Sequence, residues 1–150
     1  MGTRPFKVKS SGLLVNLNEE TLQILINIAN LDKKHARRVK VEVFDWTFNK
    51  PIDVPITSFN GQETIPGDGG PIKIKAGTAA LFFTDFLDDM IILIYEVRVT
   101  FFDSDENVLV TSNGLSINNS GNVPGQTVLD VDFRTLDWDK DWSYHSSLRK

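Results

Sequence analysis

Two histidines, His35 and His145, are the only imidazoles in the chain, and cysteine is absent. A thiol nucleophile, a disulfide framework and a thiolate zinc site are therefore excluded. His35 falls in the polar stretch "NLDKKHARR" and His145 near the C-terminus, and neither belongs to a motif that would orient it beside a nucleophile or carboxylate. Both read as surface histidines. Acidic residues gather in "DFLDD" (Asp85, Asp88, Asp89) and "DSDEN" (Asp103, Asp105, Glu106), and two carboxyl groups across a cleft are what glycoside hydrolysis requires. No spacing singles out one pair, and acidic turns are ordinary solubilising features. The expectation is a chain that is not an enzyme, with no catalytic residue.

Metal and cofactor motifs fail at defined positions. "DWDKDWSYHSSL" opens like a calcium loop with Asp137, Asp139 and Asp141, but Trp142 stands where the loop needs Gly and Leu148 where it needs a bidentate Glu. Asp103, Asp105 and Asn107 repeat the short pattern in a turn, where Asx turns account for them. "GDGG" at Gly67–Gly70 is followed by neither Gly-Lys-Ser/Thr nor a helix, so it is no phosphate cradle. Asn118-Asn119-Ser120 matches a glycosylation sequon, but no export signal accompanies it. No cofactor and no metal are expected.

Two features remain that suit binding. Strand parity across Val39–Val43 turns the valines one way and puts Lys40, Glu42, Phe44 and Trp46 on the other face; Phe102 joins Arg98 and Thr100 on the same outward side of a second strand. Phe44, Trp46 and Phe102 form a candidate aromatic patch that caps the fold, meets another subunit or stacks on sugar. Phe48 follows in the turn. The second feature is a basic N-terminal arm carrying Arg4, Phe6, Lys7 and Lys9, followed by the apolar Leu13 and Val15. Such an arm can add a strand to the sheet edge of a neighbour.

The elements that must position these residues are strands. "TLQILINIAN" alternates Leu22, Ile24, Ile26 and Ile28 with Thr21, Gln23 and Asn27, and the same period runs through Val39–Val43 and Val97–Phe101. Further strands are expected at Leu13–Leu17, Ile52–Thr57, Ile72–Lys75, Thr78–Phe83, Met90–Thr100, Val108–Thr111 and Thr127–Phe133. Turn signals separate them: Phe59–Gly61, Pro66–Gly70, Asp103–Asn107, Ser112–Gly114 and Asn118–Gly125. Asn30–Arg38 reads as a polar loop. About eight to nine short strands of this kind predict an all-β fold, a two-sheet antiparallel β-sandwich of Ig-like or jelly-roll type.

An internal repeat overlies this pattern. Val39, Val41, Phe44, Asp45 and Asn49 match Val97, Val99, Phe102, Asp103 and Asn107 at one constant offset, and both units run on to Asn-Gly. Each unit reads as a β-hairpin, and either duplication or convergent hairpin constraints would produce the match.

With 150 residues the chain is sized for one domain able to hide a core without staples. The expected division is an arm over 1–12, the sandwich over 13–133 and an acidic, aromatic tail over 134–150. Sixteen basic against twenty acidic residues give a net charge of −4, which opposes the electropositive face that nucleic acid requires. The longest apolar run, "MIILIY", is too short to span a bilayer, and no signal-peptide core follows the N-terminal charges. The sequence predicts no membrane insertion and synthesis in the cytoplasm without export.

The order of an N-terminal arm, an aliphatic strand, "RVKVEVFDW", "IKIKAGTAALFF", "YEVRVTFFD" and "TVLDVDF" over Thr21–Phe133 resembles small β-sandwich proteins of endospore-forming bacteria, associated with spore surface layers and appendages. In the appendage-forming relatives an N-terminal connector docks into the neighbouring subunit and cysteine-bearing arms crosslink the fibre. Without cysteine, the crosslinking does not carry over. The resemblance implies deposition on the spore or cell surface from the cytoplasm. Basic arm and acidic tail would meet head to tail, a contact that can propagate as a filament. The resulting expectation is a self-assembling subunit of a fibre or surface layer, a homo-oligomer or filament, with a carbohydrate-binding module using Trp46, Phe44 and Phe102 as the alternative.

Overall fold

The computed structural model describes residues 6–16, 21–59, 64–65, 70–86, 91–116 and 122–136. The sequon, the "DWDKDW" segment, His145, Arg4, Asp88 and Asp89 lie outside them. Alternating apolar residues, many of them β-branched, pack well on pleated surfaces, and the regular secondary structure of the described residues is accordingly almost all strand. In order these are β1 (Lys7–Ser10), β2 (Leu14–Val15), β3 (Gln23–Asn30), β4 (Arg37–Asp45), β5 (Ile52–Val54), β6 (Thr57–Phe59) and β7 (Thr64–Ile65). There follow β8 (Ile72–Ile74), β9 (Ala79–Asp85), β10 (Ile94–Phe101), β11 (Val108–Leu115), β12 (Asn122–Val128) and β13 (Arg134–Thr135). A single 3-10 turn covers Asp130–Asp132.

Two antiparallel sheets pack face to face. One runs β13-β1-β10-β4-β5, with β2 also on β10 and β8 also on β4; the other runs β12-β11-β3-β9-β6-β7. Ile24, Ile26 and Ile28 of β3 meet Val39, Val41 and Val43 of β4 and Val97, Val99 and Phe101 of β10 in one core, closed by Phe82, Phe86 and Tyr95. The sandwich expected from the period-two pattern is the observed architecture. The described strands outnumber the eight or nine expected, because several are pieces of two or three residues.

Some elements differ from expectation for identifiable reasons. The strand expected over Ile52–Thr57 is split into β5 in the first sheet and β6 in the second, with Pro55, which has no N–H to give a ladder, between them. Ser112-Asn113-Gly114 is not a turn but part of β11, paired with Ile26, Leu25 and Ile24. Gly114 sits there because a Cβ would lie 2.7 Å from both the Gln126 Cβ and the Thr21 Oγ1. Likewise β12 already begins at Asn122, inside the stretch expected as a turn. The second repeat unit is no hairpin: β10 and β11 belong to different sheets, whereas β4 and β5 do pair as one.

One corner of the sandwich is closed by polar groups that satisfy one another. Asn16 Nδ2 donates to the carbonyls of Thr21 and Ile92, and its Oδ1 accepts from Thr21 N–H. The Tyr95 phenol donates to Gln126 Oε1, and Gln126 Nε2 donates to the Val15 carbonyl. Burial holds the Tyr95 hydroxyl well above the ordinary phenol range, so it acts as a neutral donor.

Candidate functional site

The residues singled out in the N-terminal arm are built into the first sheet of their own chain. Lys7, Val8, Lys9 and Ser10 stand opposite Phe101, Thr100, Val99 and Arg98, so Lys7 and Lys9 share the inward face with Val99 and Phe101 while Val8 and Ser10 face outward. Two lysines on an inward face are tolerated because their stems can lie along apolar surface while the ammonium reaches a polar partner. Both Nζ atoms lie 3.1 Å from Asp105 Oδ2 in the loop after β10, and Lys9 Nζ sits 5.6 Å from the Phe101 ring centroid. Burial pushes the Asp105 carboxyl up, but the hydrogen bonds from Lys7 and Lys9 outweigh it and leave Asp105 below the usual carboxylate range.

The ladder between arm and β10 changes character at Ser11. Phe6 N–H donates to the Phe101 carbonyl and Ser11 N–H to the Val97 carbonyl, but Val97 N–H donates to the Ser11 hydroxyl rather than to a carbonyl. Gly12, at φ 77, turns the chain so that β2 resumes pairing at Leu14 and Val15. β1 and β2 are thus one interrupted strand covering the flank of β10. Phe6, Leu13 and Val15 along it are more than half exposed.

The outward face of the same sheet holds the aromatic residues. Glu96 is buried, and its carboxylate accepts from Trp46 Nε1 at 2.8 Å, from Arg98 Nε at 2.7 Å and from the Ser10 hydroxyl. The Arg98 guanidinium lies 5.0 Å from the Phe44 ring centroid, which leaves Phe44 only 7% exposed. The structure therefore brings Phe44 and Trp46 together around Glu96–Arg98, whereas Phe102 stands apart with the Arg38 guanidinium 5.5 Å from its centroid. Phe48 is largely exposed at the tip of the β4–β5 hairpin. Sequence reasoning missed Glu96 and Ser10, and it placed Arg98 on the outward face and Asp105 in an acidic turn without finding the partners of either. Glu96 and Arg98 alternate with Val97 and Val99 and so look solvated, and nothing local announces that β1 and β4 flank them.

The loop around His35 is organised by Asp32. Its carboxylate accepts from the backbone N–H groups of Lys34 and His35 at 2.8 and 2.9 Å, which draw it down to about 2, and its second oxygen lies 3.1 Å from Arg37 Nη2. His35 Nδ1 lies 3.3 Å from Asp32, in an exposed turn where no hydroxyl or thiol nucleophile joins the pair. Of the acidic groups, Asp85 accepts from Gln23 Nε2, and Asp103 accepts from Arg38 N–H. Among the described residues no three His, Asp or Glu converge as metal ligands, and no helix is long and apolar enough to cross a membrane.

The sandwich with an N-terminal strand laid on its central strand is thus the class that the geometry defines. Compared with known protein families, the chain matches no family model, and comparison with curated proteins likewise gives no match.

Proposed function

We propose that this chain is a non-enzymatic structural subunit that associates with copies of itself into a fibre or surface layer, using the N-terminal strand and the sheet edges as contacts. The observation that carries the reading is the interrupted strand β1–β2, which lies along β10 and presents Phe6, Leu13 and Val15 to the outside. Exposed apolar residues on and beside such a strand suit burial against a second protein surface. The resemblance to spore-surface sandwiches supports the same reading and extends it to deposition on a spore or cell surface. The carbohydrate alternative draws less support, since Phe44 is covered by Arg98 and Trp46 commits its N–H to Glu96.

The test is light scattering over a wide concentration range with negative-stain electron microscopy. Wild-type protein is expected to form filaments or layers. Leu13→Asp with Val15→Asp, which alters only exposed positions, should abolish them while circular dichroism stays that of the native sandwich. Strictly monomeric wild-type protein, or filaments of unchanged yield and length in the double variant, overturns the reading.

A further inference from the structure

We infer that β1 is a strap over β10, fastened by Asp105, which opens locally, together with the two-residue strand β13 paired to its other flank, when that carboxylate is neutralised while β2 to β12 stay folded. The inference does not depend on self-association.

Three relations carry it. The strap is short, four residues of regular pairing, and ends at Gly12, whose φ of 77 and open surroundings make a natural pivot. Beyond that pivot the chain is anchored separately through Asn16 and the Val15–Gln126 bond, so β1 can leave without β2. Finally, among the described residues the two inward lysines share Asp105 as their counter-ion, and when it is neutral two ammonium groups lie on the inward face beside Phe101 without that carboxylate.

The charged groups around Asp105 are Lys7 and Lys9 from β1, Asp103 and Glu106 from its own loop, and Arg38 from β4, whose N–H bonds to Asp103. Burial favours protonation and the hydrogen bonds from Lys7 and Lys9 oppose it; the lysines win, since the Asp105 carboxyl sits below its ordinary value. A depressed carboxyl supplies stability that is present above the unfolded pKa, about 3.8, and lost as pH falls through the folded one. Opening by acid is therefore expected below about pH 4.

Amide hydrogen exchange on the full chain tests this residue by residue. The Val97, Ser11 and Phe6 amides report the strap, and the Trp46 amide, bonded to the Ile94 carbonyl on the opposite flank of β10, reports the remaining sheet. In Asp105→Asn at neutral pH the first three should lose about tenfold in protection, the sum expected of two partly exposed ion pairs, with Trp46 unchanged. A disulfide formed between Val8→Cys and Thr100→Cys, which face each other across the two strands, should restore protection in the Asp105→Asn background. Unchanged protection in Asp105→Asn, equal loss at Trp46, or failure of the crosslink to restore protection overturns the inference.

Discussion

Val41 and Val99 stand directly opposite each other across β4 and β10, and they are equivalent positions of the internal repeat. Val39 faces Phe101 and Val43 faces Val97 on either side of them, so the two repeat units run antiparallel about this pair with a local two-fold relation. Both valines are almost fully buried. Val41→Ala should cost about 2 kcal/mol in urea unfolding, the usual scale for removing core methyl groups. Because the two side chains share a face and stand opposite each other on paired strands, the double variant with Val99→Ala should depart from additivity by about 0.5 kcal/mol or more.

The same relation makes Asn49 the counterpart of Asn107. Among the described residues these are the two non-glycine positions with positive φ, at 69 and 59. Asn tolerates this left-handed backbone better than most residues. Replacing either by Ala should lower stability by about 1 kcal/mol, whereas Gly should be neutral within about 0.5 kcal/mol. Equal loss in both replacements would point to the amide side chain instead of the backbone.

Glu96 is the acceptor at the centre of the outward cluster, so its donors should not weigh alike. Trp46→Phe removes one hydrogen bond and should cost about 1–2 kcal/mol. Arg98→Leu leaves a buried carboxylate without its cation and should cost about 3–5 kcal/mol. Chemical denaturation of the two variants beside wild type reads the difference directly, and Trp46 fluorescence should respond in Arg98→Leu through its bond to Glu96.

Asp32 adds a second pH signature in the same acid range as that of the strap. Its carboxyl is held at about 2 against an ordinary 3.8, chiefly by the backbone N–H groups of Lys34 and His35. The stabilisation is complete above pH 3.8 and disappears as pH falls toward 2. Asp32→Asn should therefore flatten the stability profile in that window and leave its shape near neutrality unaltered, as followed by unfolding at a series of pH values.

Gly114→Ala should be among the more damaging small substitutions. The added methyl would meet Gln126 and Thr21 inside contact distance, and overpacking of this kind typically costs about 1–3 kcal/mol. Thermal unfolding is the measurement.

Much of the sandwich was legible because burial on one face writes itself as alternation. Ile24, Ile26 and Ile28, like Val39, Val41 and Val43, are inside as their period requires. The failures come from residues whose use is decided by partners far along the chain. Gly114 looks like punctuation, yet it is a strand residue made small by Thr21 and Gln126. Lys7 and Lys9 look like a free basic arm, yet Asp105 lets them lie on an inward face. Glu96 and Arg98 look solvated, yet Trp46, Phe44 and Ser10 enclose them. Of the candidate site, residue types were readable and pairings were not, since a pairing belongs to two segments at once.

The placement of β1 has a bearing on how the chain reaches its fold. Leu136 N–H donates to the Val8 carbonyl, and Lys9 pairs with both Val99 and Thr135, so the first strand is joined on either flank to strands that leave the ribosome late. Among the described strand pairs its loop closures are the longest and are entropically the most expensive to form early. β1 should settle after the strands it joins, and until they are made segment 7–10 stays within reach of whatever else it can pair with.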